Sequence, residues 1–213
     1  MSAREENTNS VTLVDYGVGN TASVKRAFER LGAAVDFTAD PERVAEARVI
    51  VLPGVGAFEP ARKRLADSGL ETALRSALAN GARLLGLCVG YQLLFEESLE
   101  FGRHRGLGLV PGRVVPFPEG IRVPHIGWNQ LLPGPRASQL LGGLAPNPYV
   151  YFVHSFVAEG LPANLVAASC EHGGFTFPAA LVKGSLWGCQ FHPEKSSACG
   201  RAILTNFLKA GAA

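Results

Sequence analysis

Short apolar segments alternate with stretches of helical periodicity through the first hundred residues, and this alternation is the strongest constraint on the fold. Strands joined by helices in this order pair in parallel, because each connection must cross back over the sheet. The pattern therefore predicts a mostly parallel sheet with helices on both faces. The predicted strands are 11–17, 33–39, 48–54 and 82–88, and the predicted helices are 21–31, 57–66, 70–80 and 89–99.

The second half of the chain has a different pattern. From about residue 108, shorter apolar segments are separated by turns rich in glycine and proline, and a last helix is predicted over about 198–209. Such segments are typical of antiparallel strands. We expect them to extend an edge of the same sheet, so that 11–213 form one α/β domain behind a polar tail at 1–10.

Composition and charge exclude several function classes. The chain carries 20 Lys and Arg against 18 Asp and Glu, for a net charge of +2, and its basic residues are scattered. This distribution argues against nucleic acid as a partner. No uncharged apolar stretch approaches the ~20 residues of a membrane helix, and the polar N-terminus lacks the apolar core of a signal peptide. We therefore expect a cytoplasmic protein with no membrane partner.

The four cysteines include no C-x-x-C pair, so free thiols are expected in a reducing compartment. A zinc site is one alternative, because Cys170, His172, Cys189 and His192 are all possible ligands. The segment WGCQFH is typical of a strand, however, and strand alternation places Cys189 and His192 on opposite faces. We therefore predict no metal site and interpret Cys170 and Cys189 as core residues.

The segment GLCVG at 86–90 predicts a nucleophile. It places Cys88 where a buried strand turns sharply into a helix, with a glycine two positions away on each side. A nucleophile on such a strained turn needs small neighbours, because its flanking residues crowd each other. The following helix N-terminus favours a thiolate. The alternative is a packing cysteine beside two turn glycines.

Two further segments complete a hypothetical site. In QFHPE, His192 ends a strand at a proline and is a candidate base, with Glu194 as the group that orients its ring. In LPGVGAF, the small residues around Val55 and Gly56 allow backbone amides to approach a ligand, and the amide of Val89 would be a second oxyanion donor. The alternatives are a surface turn and an ordinary glycine-rich loop.

These segments carry a specific resemblance that covers about residues 11–209. PGVGAF, GLCVGYQLLFE and QFHPEKSS, in this order and spacing, resemble the class I (triad) glutamine amidotransferases. DYGVGN at 15–20, PHIGWNQ at 124–130 and YFVHSF at 151–156 resemble motifs of one branch, the glutaminase subunits of imidazole glycerol phosphate synthases. The resemblance implies a flavodoxin-like sheet and a reaction without a cofactor.

The resemblance also implies residue roles. Cys88 would attack the carboxamide of L-glutamine, His192 would act as general base and then acid, and Glu194 would orient the imidazole. Val55, Gly56 and Val89 would supply the oxyanion hole. The glutamine pocket would include Gln92, His154, Ser155 and Phe156, with His154 acting mainly through its backbone.

A partner subunit is implied as well, because released ammonia must reach an acceptor before water protonates it. The resemblance implies a (β/α)₈ cyclase subunit in a 1:1 heterodimer. There, ammonia and phosphoribulosyl-formimino-aminoimidazole-carboxamide ribonucleotide would give imidazole glycerol phosphate and aminoimidazole carboxamide ribonucleotide in histidine biosynthesis. The docking face would include Asn20, Trp128, Tyr151 and Lys195.

Other functions are compatible with parts of the pattern. One is an amidotransferase subunit for another acceptor, such as that of an anthranilate, pyridoxal phosphate or guanylate pathway. A second is an independent cysteine hydrolase acting on peptides or γ-glutamyl chains, and a third is a binding module with an inactive site. The segment PGVG adds a regulatory hypothesis, in which the Val55 peptide rotates to form the oxyanion hole only after the cyclase binds its nucleotide.

Overall fold

A computed structural model describes residues 10–210, and within them an α/β architecture. The strands are β1 (Ser10–Val14), β2 (Ala34–Thr38), β3 (Val49–Leu52), β4 (Arg83–Leu87), β5 (Glu97–Ser98), β6 (His104–Arg105), β7 (Arg113–Pro116), β8 (His125–Gln130), β9 (Leu132–Pro133), β10 (Tyr149–His154), β11 (Phe156–Glu159), β12 (Val166–His172), β13 (Phe175–Lys183) and β14 (Leu186–Cys189). The helices are α1 (Thr21–Glu29), α2 (Pro41–Ala45), α3 (Phe58–Asp67), α4 (Leu70–Ala79), α5 (Val89–Gln92), α6 (Ala137–Leu141) and α7 (Ser197–Lys209).

The central sheet has the order β2-β1-β3-β4-β14-β13-β12-β9. Its first five strands pair in parallel, in the arrangement of a flavodoxin-like sheet, and the remaining pairs are antiparallel. The predicted α/β class and its mostly parallel sheet are therefore confirmed. Of the polar tail predicted at 1–10, residues 1–9 lie outside the described residues, whereas Ser10 pairs with Ala34 in the sheet.

Helices cover both faces of the sheet, as strand alternation requires. On β3, Val49 and Val51 face a core that includes side chains of α1 and α7, while Ile50 and Leu52 face a second core formed with α3 and α4. All four side chains are buried. A strand that is apolar on every position is thus explained by burial on two sides.

Three predictions about the second half of the chain are corrected. The last strand, β14, is parallel to β4 rather than antiparallel, and it lies inside the sheet, not at its edge. Strands β8 and β10 form a separate two-stranded sheet, and β11-β7-β5-β6 form a four-stranded one. Periodicity could not separate these sheets from the main one, because pairing partners far apart in sequence leave no local signal.

The predicted helix at 89–99 is much shorter in the structure. Helix α5 ends at Gln92, and the chain turns so that 97–98 form a strand. The carbonyl groups of Leu93, Leu94 and Phe95 accept hydrogen bonds from the amides of residues 107–110. Tertiary hydrogen bonds thus replace the helical ones, and only the folded chain brings these segments together.

Two short helices, α2 and α6, were not predicted. Helix α2 begins after Asp40, whose side chain accepts a hydrogen bond from the Glu42 amide at 2.9 Å, and Pro41 occupies its first turn. An aspartate cap followed by proline is a recognised start signal, so the sequence did contain it. No helix of the described residues is long and apolar enough to cross a membrane.

The turn after β4 has the strained geometry that the sequence predicts. Cys88 has φ +53° and ψ −110°, although it is not glycine. A Cβ on Gly86 would lie 2.7 Å from the Gly90 carbonyl oxygen, and a Cβ on Gly90 would lie 2.0 Å from the Leu52 carbonyl oxygen. Both glycines are therefore required for the turn to pack between β3 and β14.

We expect Gly90→Ala to destabilise the fold by more than about 3 kcal/mol, because rigid backbone must move to admit the methyl group. Urea unfolding followed by circular dichroism measures the change. Gly81→Ala is the control, since Gly81 has φ +85° but no neighbouring atom within 4 Å, and it should lose only about 1–2 kcal/mol. Equal losses at the two positions would contradict the steric account.

Candidate active site

Three segments meet at the carboxyl edge of the parallel sheet. The loop 53–57 follows β3, Cys88 follows β4, and His192 lies shortly after the end of β14. Because β3, β4 and β14 are adjacent and parallel, their carboxyl ends share one side of the sheet. Open α/β sheets bind ligands at this edge.

Cys88 lies in this region as a largely buried thiol, with 5% of its surface exposed. Its Sγ is 3.9 Å from Nε2 of Gln190 and 4.0 Å from the carbonyl oxygen of Val153. Its position just before α5 results from the turn geometry described above. The thiol thus has few polar neighbours, and it lies where the hydrophobic core borders a cavity.

His192 and Glu194 form a buried pair. Nδ1 of His192 lies 2.8 Å from Oε1 of Glu194, and their side chains are 3% and 2% exposed. The His192 backbone is held on both sides, since its amide donates to the Tyr151 carbonyl at 2.9 Å and its carbonyl accepts from Ser196 Oγ at 2.6 Å. These contacts fix the position of the ring. Its other nitrogen, Nε2, has no hydrogen-bond partner among the described residues.

The environment of His192 favours the charged imidazolium. Burial lowers the pKa of His192, but its interactions with Cys88 and Glu194 outweigh burial and raise the pKa to about 10. Cys88 and His192 both line the same cavity. An imidazolium between a sulfur and a carboxylate can donate a proton to a leaving group.

A cavity of about 370 Å³ lies over Cys88 and His192, within the size range of small-molecule sites. Most of the site residues predicted from the sequence line this cavity. Glu194 does not line it, because it lies behind the His192 ring. The predicted residues that line the cavity are Val55, Gly56, Cys88, Val89, Gln92, His154, Ser155, Phe156 and His192.

The residues predicted to supply oxyanion donors line the cavity, but the amide of one of them, Val89, is already hydrogen-bonded. The Val89 amide donates to the Gly54 carbonyl at 3.4 Å. Gly56 has φ +88°, and the Val55 side chain between the two glycines is 36% exposed. Tyr16 fixes Pro53, the residue before Gly54, since its hydroxyl donates to the Pro53 carbonyl at 2.5 Å. An oxyanion hole at Val89 requires the Gly54 carbonyl to move away.

Sequence reasoning missed two residues of the site. Glu100 lines the cavity and accepts a hydrogen bond from the Phe58 amide at 2.6 Å, and burial is the main cause that raises its pKa. Its sequence context, FEESLE, contains three carboxylates and gives no reason to select one. Gln190 contacts Cys88 and was detectable, because it lies two residues before His192 in an extended segment.

The predicted docking residues lie on one exposed surface, except Asn20. Trp128 of β8 and Tyr151 of β10 are paired in register with ring centroids 6.3 Å apart, and Lys195 Nζ lies 5.7 Å from the Tyr151 ring. The rings and apolar side chains of this strand pair are unusually exposed. Among them, Ile126 is 59%, Trp128 51%, Tyr149 54% and Val153 36% exposed. Asn20 is exposed just before α1.

The four possible zinc ligands do not form a metal site. Across residues 10–210, no group of three His, Cys, Asp or Glu side chains has a geometry that could hold a metal ion. Cys170 and Cys189 are fully buried, and burial raises the pKa of Cys170 to about 12. These two residues pack in the core, in agreement with their sequence interpretation.

Comparisons with known proteins agree with this architecture. Residues 12–210 match the family "Glutamine amidotransferase class-I". A solved structure described as a glutamine amidotransferase has a TM-score of 0.75 at 21% identity, covering 95% of this chain and 99% of its own. The structure of PurLQS from Thermotoga maritima has a TM-score of 0.70 at 18% identity, covering 94% and 97%. At these identities the two structures support the fold alone.

Curated relatives are closer in sequence. Proteins named imidazole glycerol phosphate synthase subunit HisH from Salinibacter ruber and Geobacter metallireducens are 45% and 44% identical. The alignments cover 92% of this chain and 92% of the first relative, and 93% and 97% for the second. The HisH protein of Geobacillus kaustophilus is 46% identical over 93% of this chain and 95% of its own.

The chain therefore belongs to the class I glutamine amidotransferase family. Within that family the curated relatives compared above are HisH proteins, and the motifs DYGVGN, PHIGWNQ and YFVHSF had indicated the same branch. The resemblance stated from the sequence is thus confirmed.

We expect Glu194→Gln to lower the pKa of His192 by about 1–3 units, because a neutral amide no longer favours the imidazolium. The wild-type ring should stay protonated until about pH 10. Ring resonances of histidine in NMR spectra, followed from neutral to alkaline pH, measure both values. Glu159→Gln is the control, since Glu159 is half exposed and pairs with Arg113. An unchanged His192 titration in E194Q would contradict the pairing.

Proposed function

We propose that this chain is the glutaminase subunit of an imidazole glycerol phosphate synthase, which hydrolyses L-glutamine and passes ammonia to a cyclase subunit. The observation that carries this proposal is the arrangement of a strained, cavity-facing Cys88 and a buried His192–Glu194 pair at one sheet edge. Relatives that are 44–46% identical and named as synthase subunits support the choice of pathway.

The reaction follows from these groups. The Cys88 thiolate attacks the side-chain carbonyl carbon of glutamine, and the carbon–nitrogen bond then breaks as the His192 imidazolium gives its proton to nitrogen. Ammonia and a γ-glutamyl thioester result. Neutral His192 next removes a proton from water, which attacks the thioester and releases glutamate and the thiolate. Glu194 stays ionised and holds the ring.

Glutamine recognition is assigned to the cavity walls. We infer that Glu100 binds the α-ammonium group, because it is the carboxylate that lines the cavity. Gln92 and the segment 154–156, which also line the cavity, supply amide and backbone groups.

The occupied Val89 amide supports the regulatory hypothesis. While Gly54 accepts its hydrogen bond, this amide cannot stabilise a tetrahedral oxyanion. Rotation of the peptide next to Val55 would remove the carbonyl and offer an N–H instead. We propose that binding of the cyclase with its nucleotide drives this rotation, so that ammonia is released only when an acceptor is present.

The partner is assigned to the exposed face of β8 and β10. Exposed aromatic residues beside a catalytic cavity are typical anchors of a protein interface. Val153 lies on this face and also lines the cavity, so the face borders the point where ammonia forms. We propose a 1:1 heterodimer in which Asn20, Trp128, Tyr151 and Lys195 contact the (β/α)₈ cyclase.

We expect Cys88→Ala to lose glutaminase activity by at least about 10³-fold, because no other group can form the thioester. Glutamate formed from glutamine in the presence of the cyclase and its nucleotide measures the loss. Cys199→Ala is the matched control, since this thiol is half buried on α7 and does not line the cavity. Activity retained in C88A would exclude the thioester mechanism.

We also expect the isolated chain to hydrolyse glutamine about 10²–10³-fold more slowly than the complex with cyclase and nucleotide, the range that one oxyanion donor contributes. Equal rates would favour an independent cysteine hydrolase.

Trp128→Ala should weaken cyclase binding about 30-fold, as for a central interface anchor. Phe37→Ala is its control, because Phe37 is 40% exposed on the edge strand β2.

A further inference from the structure

Two buried histidines outside the triad and the half-buried Asn129 form a continuous hydrogen-bonded series. Asn129 Nδ2 lies 3.1 Å from His125 Nε2, His125 Nδ1 lies 3.0 Å from His154 Nε2, and His154 Nδ1 lies 2.9 Å from the Phe156 carbonyl oxygen. His125 is 3% and His154 7% exposed. The series runs from strand β8, across β10, to the glutamine cavity, and the proposed reaction does not use it.

The contacts at the two ends of the series determine which atom donates in each of its hydrogen bonds. Asn129 Nδ2 donates to the Glu171 carbonyl at 2.7 Å, and its Oδ1 accepts from the Gln130 amide, so Nδ2 must be the donor to His125. A neutral His125 then carries its proton on Nδ1 and donates to His154. His154 in turn must carry its proton on Nδ1, which faces the Phe156 carbonyl. One set of tautomers satisfies every contact.

The two rings are neutral, as this arrangement requires. Burial is the main cause that lowers the pKa of His125 to about 4 and that of His154 to about 3. Phe117, Phe152 and Phe177 pack around the pair and exclude water. A proton added to either facing nitrogen would place two donors against each other.

The series ends on an atom that also holds the glutamine pocket. The Phe156 carbonyl accepts a second hydrogen bond from Gln92 Nε2 at 3.3 Å, and the same nitrogen donates to Gln190 Oε1 at 3.0 Å. Both N–H groups of Gln92 are therefore used. Its Oε1 has no hydrogen-bond partner among the described residues, although Gln92 lines the cavity. This oxygen is the acceptor left for a substrate N–H.

We propose that Asn129, His125 and His154 are positioning residues that hold the Phe156 carbonyl, and through it the orientation of the Gln92 amide, so that glutamine binds. This role rests on the proposed glutaminase function and refines its substrate site. Without the His154 donor, the turn between β10 and β11 loses its internal hydrogen bond, and Gln92 can reverse its amide. A reversed amide would present N–H groups to the substrate amine.

The first test is the tautomeric state of the wild-type chain. Nitrogen NMR of the histidine rings should place the proton of both His125 and His154 on Nδ1. An Nε2–H tautomer at His154 would overturn the proposal, whatever the variants do. This measurement needs neither glutamine nor the cyclase, so its result is independent of the proposed function.

The second test separates positioning from simple packing, with the full chain assayed alongside cyclase and nucleotide. His154→Phe keeps a ring but loses both nitrogens, and it should raise the KM for glutamine about tenfold while kcat stays within about twofold. His154→Asn keeps a donor near the Nδ1 position, and its KM should stay within about threefold of the wild type.

His172→Phe is the matched control, because its ring stacks on His125 at 4.1 Å between centroids but donates outside the series, to Arg122. Its KM should not change. Equal KM values for H154F and the wild type, or equal increases for H154F and H154N, would overturn the positioning role. A wild-type chain that forms no glutamate would instead overturn the proposed function. The NMR measurement of the tautomers would then still test the direction of the hydrogen bonds from Asn129 to His154.

Discussion

The close approach of the Gly90 backbone to the Leu52 carbonyl determines where the nucleophile lies. No side chain fits between them, since an added Cβ would be 2.0 Å from the oxygen. The same turn brings Gly86 against Gly90, so Cys88 must adopt a positive φ that only the surrounding structure can maintain. The buried ring of Tyr91 extends this packing to Gly188 on β14, and so joins the turn to the strand that leads to His192.

Burial of the charged groups is the second constraint. In a dry pocket, an imidazolium is stable only between partners that compensate its lost hydration. Glu194 fills one side, and the thiol lies on the other, where the substrate must also enter. The pair is therefore both a fixed element of the fold and the proton source of the proposed reaction. The paired histidines His125 and His154 differ, because without a carboxylate they remain neutral.

Much of the fold and the centre of the site could be predicted from the sequence. The strand around Val51 is apolar at every position, the strand around Leu85 carries no charge after Arg83, and glycines bracket Cys88. Local patterns therefore indicated both the parallel sheet and its sharp turn. The helix predicted past Gln92 was wrong because residues 107–110 capture its carbonyls. Glu100 was missed because nothing local distinguishes it from neighbouring carboxylates.

The sequence by itself determined the chemical groups of the candidate site, the positions of the first four strands along the chain and the family. These depend on residue type and short-range spacing. Only the tertiary structure decided that β14 inserts beside β4, which carries His192 to Cys88 across a hundred residues. It also decided that Gly54 occupies the Val89 amide and that His125 and His154 face each other. These contacts join distant segments, and their geometry is set by packing that no local pattern encodes.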